Sequence, residues 1–200
     1  HDVKATITRA LVKNFNIGLY PRNGNRLFVE DSVVRENDVG VRVDGANAST
    51  SCYNPPPVVI WRDPVIRHSD IVENRQQGIY VFGSDVLLQV EKSNILKNGS
   101  TGIYIAGRSL HPDSYVRENN IHDNNGRQVQ AYHSGNNNGG VLDISKNYWV
   151  HISDPQLSQS WRFPCNGQYT FTGFSPVPID DAGPRKDDLI DDVKTACWSD

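Results

Sequence analysis

The sequence contains no methionine, only three cysteines in 200 residues, and almost no excess of either charge. Twenty Lys and Arg against 23 Asp and Glu give a formal net charge of −3, which argues against a nucleic-acid partner because such partners usually require a basic stripe. No apolar run approaches the roughly 20 residues of a membrane span, and no signal or transit sequence is visible. We expect one soluble domain without membrane insertion. The missing initiator Met suggests a processed chain or part of a larger protein.

Asparagine, in contrast, is abundant, with 19 residues, and many of them lie in a recurring phrase. The phrase runs polar residue, variable residue, apolar residue, two variable residues and Asn. Its apolar members are Leu11, Val34, Ile71, Ile95, Ile121 and Tyr148, and its Asn members are Asn14, Asn37, Asn74, Asn98 and Asn124. The Asn spacings are 23, 37, 24 and 26. A period in the twenties is typical of a solenoid, and the single long spacing contains an insertion at residues 45–63.

A glycine follows each early Asn and opens a short alternating run, as in Gly78-Ile79-Tyr80-Val81. Alternation over three to five residues predicts very short strands joined by tight turns. Such coils cannot fold alone, so we expect them to stack with parallel pairing and inward apolar columns. Asn tolerates left-handed backbone and bonds neighbouring backbone groups, so the Asn column is predicted to cap successive turns.

The phrases Ser69–Asn74 and Ser93–Asn98, with the runs at Gly78 and Gly102, resemble the right-handed parallel β-helix repeats of the pectate-lyase-like superfamily. The ending Asn147-Tyr148-Trp149 is also similar to the extracellular β-helix repeats of bark-beetle-type animal surface proteins, with Val150 where a glycine is common. The resemblance implies an all-β solenoid. We predict about six coils over residues 1–150 and an irregular C-terminal cap over residues 151–200, with a short helix at 185–198.

Function on a β-helix must lie on outward positions or inserted loops, because the inward residues form the core. Aligning the copies places Tyr20, Arg42, Tyr80, Tyr104 and Gln130 in one outward column, and Arg22, Asp44, Phe82, Ala106 and Tyr132 in the next. Parallel strands lie about 4.8 Å apart, so Tyr80 and Tyr104 would form a flat aromatic strip suited to sugar rings. The alternative is that the insertion or another domain covers these tyrosines. The candidate ligand-binding residues are Tyr20, Arg42, Tyr80, Tyr104 and Tyr132.

Three features bear on the cellular compartment. Two sequons, at Asn47 in the insertion and at Asn98 on a predicted turn, are candidate glycosylation sites where a glycan could point to solvent. Cys165 and Cys197 flank the C-terminal segment and are the candidate disulfide, although Cys52 pairing with either remains open and three reduced cysteines are the alternative. An extracellular or cell-surface location is therefore expected.

The sequence gives weaker evidence for catalysis or metal binding than for the fold. No histidine pair has the spacing of a metal motif, and His122 with Asp123 is more readily explained as a solvated turn, because neighbouring side chains on a strand or turn point apart. Aspartate pairs in the tail could bind calcium, but no ordered ligand loop is present. We predict no cofactor and a non-catalytic module that serves as a rigid scaffold or as a recognition surface for a glycan or an extracellular protein. The alternative is a polysaccharide lyase or glycoside hydrolase with a groove on the β-helix face.

Overall fold

The computed structural model describes residues 4–21, 26–45, 64–83, 86–107, 110–111, 113–131, 142–150, 169–170 and 175–185. In these ranges the chain winds as a parallel β-solenoid in which each strand pairs with its counterparts in the neighbouring coils. The described residues contain strands, turns and bends but no helix, and hence none long and apolar enough to cross a membrane.

The strands follow one another coil by coil. They are β1 (Lys4–Thr8), β2 (Leu11–Lys13), β3 (Ile17–Leu19), β4 (Arg26–Glu30), β5 (Val33–Arg35), β6 (Val39–Asp44), β7 (Pro64–Arg67), β8 (Asp70–Val72), β9 (Ile79–Gly83), β10 (Gln89–Glu91), β11 (Asn94–Leu96), β12 (Ile103–Gly107), β13 (Tyr115–Arg117), β14 (Asn120–His122), β15 (Val129–Ala131), β16 (Leu142–Asp143) and β17 (Tyr169–Thr170). Sheet 1 has the order β1-β4-β7-β10-β13-β16-β17, sheet 2 the order β14-β11-β8-β5-β2, and sheet 3 the order β15-β12-β9-β6-β3.

The number of coils is somewhat smaller than the six expected from the sequence. Sheets 2 and 3 each contain five strands, so their first and last strands are separated by about four turns of the solenoid. In the described residues, β16 and the rung at Asn147, whose neighbour Tyr148 forms a bridge with Asn120, are parts of a further coil, and β17 pairs with β16 at that end of sheet 1.

The core consists of aligned β-branched and leucine side chains, one column or more from each sheet. In sheet 2, β8, β11 and β14 place Ile71, Ile95 and Ile121 in file, and all three are fully buried. This confirms the predicted column. In the first coil the register differs by one, because Val12 rather than Leu11 lies beside Val34.

An asparagine ladder, formed by Asn37, Asn74, Asn98 and Asn124, closes the corner between sheets 2 and 3. The first three each donate the backbone N–H and the side-chain Nδ2 to Oδ1 of the next Asn in the series. The Nδ2 of all four also donates to a carbonyl of the preceding coil. The Oε1 of Gln128 accepts the last Nδ2, at 2.7 Å. Glycine is required beside the ladder, because a Cβ on Gly78 would lie 2.8 Å from Asn98 Nδ2.

A second ladder closes the corner between sheets 1 and 2. It consists of Ser32, Ser69, Ser93, Asn119 and Asn147, linked from backbone N–H to side-chain oxygen along the series. The first four are the polar residues that open the recurring phrase. The left-handed backbone conformation occurs one residue before each residue of the two ladders, for example at Glu73 before Asn74 and at Lys97 before Asn98. The asparagines of the two ladders therefore act through their amides and not through positive φ, whereas Asn14, outside the ladders, has a φ of 67°.

Residues 175–185 form a C-terminal strap that runs along the outside of sheet 2, against successive coils. Ile179 exchanges two hydrogen bonds with the side chain of Asn120, and Gly183 donates its N–H to the carbonyl of Lys92 at 2.9 Å. This part of the predicted C-terminal cap lies along the flank of the solenoid. The predicted helix at 185–198 lies, apart from Arg185, outside the described residues.

Candidate functional site

The strand register of sheet 3 sets the predicted outward columns side by side. Arg42 pairs with Tyr80, Tyr80 with Tyr104, and Tyr104 with Gln130. In the next outward column, Asp44 pairs with Phe82 and Phe82 with Ala106. We call the group Tyr20, Arg42, Asp44, Tyr80, Phe82 and Tyr104 the aromatic face. Tyr132, a predicted member, lies outside the described residues.

The rings of the aromatic face stack along the solenoid axis. The ring centroids of Tyr80 and Tyr104 are 5.4 Å apart at an interplanar angle of 7°, so the two rings are stacked and nearly parallel. The guanidinium of Arg42 lies 5.5 Å from the centroid of Tyr80 and 5.1 Å from that of Tyr20. The four side chains therefore form a continuous stack across the first four coils, in the order Tyr20, Arg42, Tyr80 and Tyr104.

This geometry corrects the expectation of a flat strip with ring faces turned to solvent. Tyr80 has a guanidinium on one side and the Tyr104 ring on the other, so a ligand meets mainly its edge and its hydroxyl. Ring orientation depends on side-chain rotamers, which a column alignment does not specify.

Arg42 and Asp44 form an ion pair within the same strand, two positions apart. Arg42 donates from Nε to Asp44 Oδ1 at 2.9 Å and from Nη2 to Oδ2 at 3.2 Å. Tyr20 donates its hydroxyl hydrogen to Asp44 Oδ2. The two hydrogen bonds to Asp44 raise the pKa of Arg42, and they hold the guanidinium in place. Two alternate outward residues on one strand face the same side, which makes this contact possible.

Phe82 is the most exposed aromatic residue of the aromatic face, with 42% of its surface accessible. Its ring centroid lies 6.3 Å from that of Tyr80, and Ala106 beside it leaves the ring open on that side. The sequence placed Phe82 in an outward column but did not single it out as a ligand-binding residue. An exposed Phe next to a small neighbour is the signal that could have identified it.

Tyr80 remains a neutral phenol over the physiological pH range. Burial raises its pKa, and the nearby carboxylate of Asp44 acts in the same direction, while the charge of Arg42 acts against them. A neutral phenol can donate and accept a hydrogen bond. The aromatic face thus offers apolar ring surface together with neutral hydroxyls.

The other residues singled out from the sequence lie elsewhere. His122 and Asp123 contact each other, with Nδ1 and Oδ2 at 2.9 Å, although adjacent side chains were expected to point apart. Asp123 has a positive φ of 56°, which departs from the strand geometry behind that expectation. Within the described ranges no group of three or more His, Cys, Asp or Glu could hold a metal ion.

The sequon at Asn98 is not available for a glycan in the folded coil. Asn98 is fully buried in the asparagine ladder, and its Nδ2, the atom that would carry the sugar, donates to Ile71 O and Asn124 Oδ1. The expectation of a solvent-facing turn is corrected here, because the side chain turns inward while the following Gly99 and Ser100 form the turn. Asn47, Cys52, Cys165 and Cys197 lie outside the described residues.

Comparison with known proteins agrees with this architecture. The family model described as the right handed beta helix region matches residues 2–111 and, in an overlapping match, residues 57–154. Comparisons with curated proteins and with solved structures give no match. Because the two family matches together span most of the chain and the strands stack as parallel coils, the chain belongs to the right-handed β-helix family.

Proposed function

We propose that the protein is a non-catalytic recognition module that binds a glycan through the aromatic face of sheet 3. The observation that carries the proposal is the line of aromatic side chains along the axis, with the stacked Tyr80 and Tyr104 and the exposed Phe82 beside them. Apolar ring surface with neighbouring hydroxyls and an ion pair matches the alternating C–H and O–H surface of a sugar.

Rigidity supports a recognition role. The backbone beneath the aromatic face is bonded to the coils on both sides, and the inward residues Ile79, Val81, Ile103 and Ile105 are fully buried. Side chains on such a sheet lose little conformational freedom on binding, which favours affinity. The regular spacing of about 4.8 Å between strands also presents a repeating surface to a repeating polymer.

The proposed setting is extracellular or at the cell surface, and the module is proposed to be part of a larger protein. The sequon at Asn47 and the candidate disulfide between Cys165 and Cys197 support that setting, because glycans and structural disulfides belong to oxidising, extracytosolic compartments. A glycan ligand accords with this location.

Binding to soluble polysaccharides tests the proposal. The variants Phe82→Ala and Tyr104→Ala should each weaken binding about two- to tenfold, corresponding to about 0.5–1.5 kcal/mol for a lost aromatic contact. Phe28→Ala is the matched control, because Phe28 is a partly exposed aromatic residue on sheet 1, and its loss should leave affinity unchanged. Unaltered binding after both sheet 3 substitutions would reject the aromatic face.

The non-catalytic part of the proposal has its own test. Incubation with the same polysaccharides should release neither reducing ends nor unsaturated ends, with or without calcium. Release of either product by the wild-type protein would favour a lyase or a hydrolase instead.

A further inference from the structure

The five strands of sheet 3 contain only two charged residues, and these are paired with each other. Strands β3, β6, β9, β12 and β15 contain Arg42 and Asp44 and otherwise apolar, glycine, tyrosine and glutamine residues. Their charges cancel, so the sheet 3 strands carry a donor and an acceptor but no net charge. The outer surface of sheet 1 differs in its charges, because two cations, Arg67 and Arg117, contact a single carboxylate, that of Glu91.

The ion pair also fixes the Arg42 guanidinium in a position that an acidic ligand could not use. An arginine binds a carboxylate best through two parallel hydrogen bonds, and Arg42 already makes two such bonds to Asp44. The rings of Tyr20 and Tyr80 lie on its two faces. A sugar carboxylate approaching Arg42 would meet the Asp44 carboxylate at close range and be repelled.

We propose that the aromatic face selects neutral polysaccharides over polyuronates and that Asp44 is the specificity-determining residue, because it neutralises and holds Arg42. The inference rests on the proposed glycan binding. Neutral sugar hydroxyls can accept hydrogen bonds from the guanidinium N–H groups of Arg42 that Asp44 does not accept, without a charge on the ligand.

The substitution Asp44→Asn isolates this effect. Asparagine has nearly the same shape and keeps one oxygen acceptor for Arg42, but it removes the negative charge and leaves one uncompensated positive charge on the sheet. A polyuronate carries a carboxylate on each sugar, so the variant should gain affinity for it. That gain should decrease with salt because it arises from an exposed charge.

Calorimetric titration with four soluble polymers provides the measurement: hydroxyethyl cellulose and galactomannan as neutral ligands, polygalacturonate and alginate as acidic ones. Wild-type protein should bind a neutral polymer at least about tenfold more tightly than either acidic polymer, with little change between about 0.05 and 0.5 M NaCl. Asp44→Asn should raise affinity for an acidic polymer at least about tenfold, and the double variant Arg42→Gln/Asp44→Asn should abolish that gain.

Glu91→Gln is the matched control, because it removes the same charge from sheet 1. It should leave polymer preference unchanged, and an equal gain in this variant would overturn the inference by showing a general charge effect. Tighter wild-type binding to polyuronates, or an unchanged preference in Asp44→Asn, would overturn the inference while glycan binding itself stands. Wild-type protein that binds none of the polymers would contradict the proposed function as well.

Discussion

Arg185 donates from Nε and Nη2 to the carboxylate of Asp31, a residue 154 positions earlier in the chain. The bond joins the end of the C-terminal strap to the second coil, while Ser175 at the start of the strap donates its N–H to Asn147 O. Coils of a solenoid otherwise contact only their neighbours, so that stability is a sum of local terms. The strap links coils that do not touch each other and should make their unfolding more cooperative.

Removing the cationic end of the strap should destabilise the protein in a pH-dependent way. Asp31 is 1% exposed; burial acts to raise its pKa, but the hydrogen bonds and charge of Arg185 outweigh burial and hold it below the usual value. Because the folded-state pKa is depressed, this stability is present above pH about 4 and is lost as the pH falls through the folded-state pKa. Arg185→Gln should cost about 1.5–3 kcal/mol at pH 7 in urea unfolding, and the difference from wild type should shrink in acid.

Arg75→Gln serves as the control for this measurement. Arg75 pairs with Asp38 at 2.9 Å, but its side chain is 71% exposed, and such surface pairs contribute about 0.2–1 kcal/mol. An Arg185→Gln loss no larger than the Arg75→Gln loss, or one that does not vary with pH, would mean that the Asp31 contact does not hold the strap.

Gly183→Ala should detach the centre of the strap. Gly183 has a φ of +95°, and a Cβ there would lie 2.4 Å from Asn94 Nδ2 and 2.7 Å from Asp70 Oδ1. Both the backbone strain and the overlap oppose alanine, and we expect a loss of about 1–3 kcal/mol. Hydrogen exchange should show faster exchange in residues 175–185, with the coil core unchanged. Val177→Ala, at a strap position that is 61% exposed, should have no such effect.

The repeat could be predicted from the sequence because its columns are held by side chains of one type. Ile71, Ile95 and Ile121 lie in file as expected. The register predicted from the sequence was wrong in the first and the last copy of the repeat, where the residue types in the columns change. Phe15 replaces Asn at the first ladder position and donates its N–H to Asn37 Oδ1, so alignment on Asn14 moved the first coil by one residue.

At the other end, the same error placed Tyr148 in the core column instead of Trp149. Tyr148 forms a bridge with Asn120, and Trp149, which is buried, follows as the inward residue. The strap could not be predicted for a different reason. Its residues have no periodicity, and its partners include outward polar residues of sheet 2, which the repeat leaves variable.

Asn98→Ala tests the asparagine ladder at its centre. The side chain donates to Ile71 O and Asn124 Oδ1 and accepts from the backbone N and the Nδ2 of Asn74. Its loss leaves several buried polar atoms without partners, so the free energy of unfolding should fall by about 3 kcal/mol or more. Asn125→Ala provides the comparison, since the exposed Asn125 side chain makes one bond of 3.3 Å. Similar losses in the two variants would show that the ladder contributes little.

Glycan occupancy at Asn98 provides an independent test of the same ladder. Protein secreted from a glycosylating host should carry no sugar on Asn98, because the Nδ2 that would be modified is buried and bonded in the fold. Peptide mass spectrometry after deglycosylation with an isotope label measures the occupancy. Folded protein that is largely modified at Asn98 would contradict this arrangement of the corner.

Val150→Gly should stabilise the protein, in contrast to most glycine substitutions. Val150 has a φ of +67°, and a left-handed conformation costs a residue with a Cβ about 1–2 kcal/mol, with β-branched residues the least tolerant. Glycine removes that cost but adds about 0.5–1 kcal/mol of backbone entropy, so we expect a net gain of up to about 1 kcal/mol. Thermal unfolding should show a higher Tm for Val150→Gly and a lower Tm for Val177→Gly, because Val177 is an exposed residue without a positive φ. A decrease in both variants would show that the Val150 side chain contributes more through packing than its backbone conformation costs.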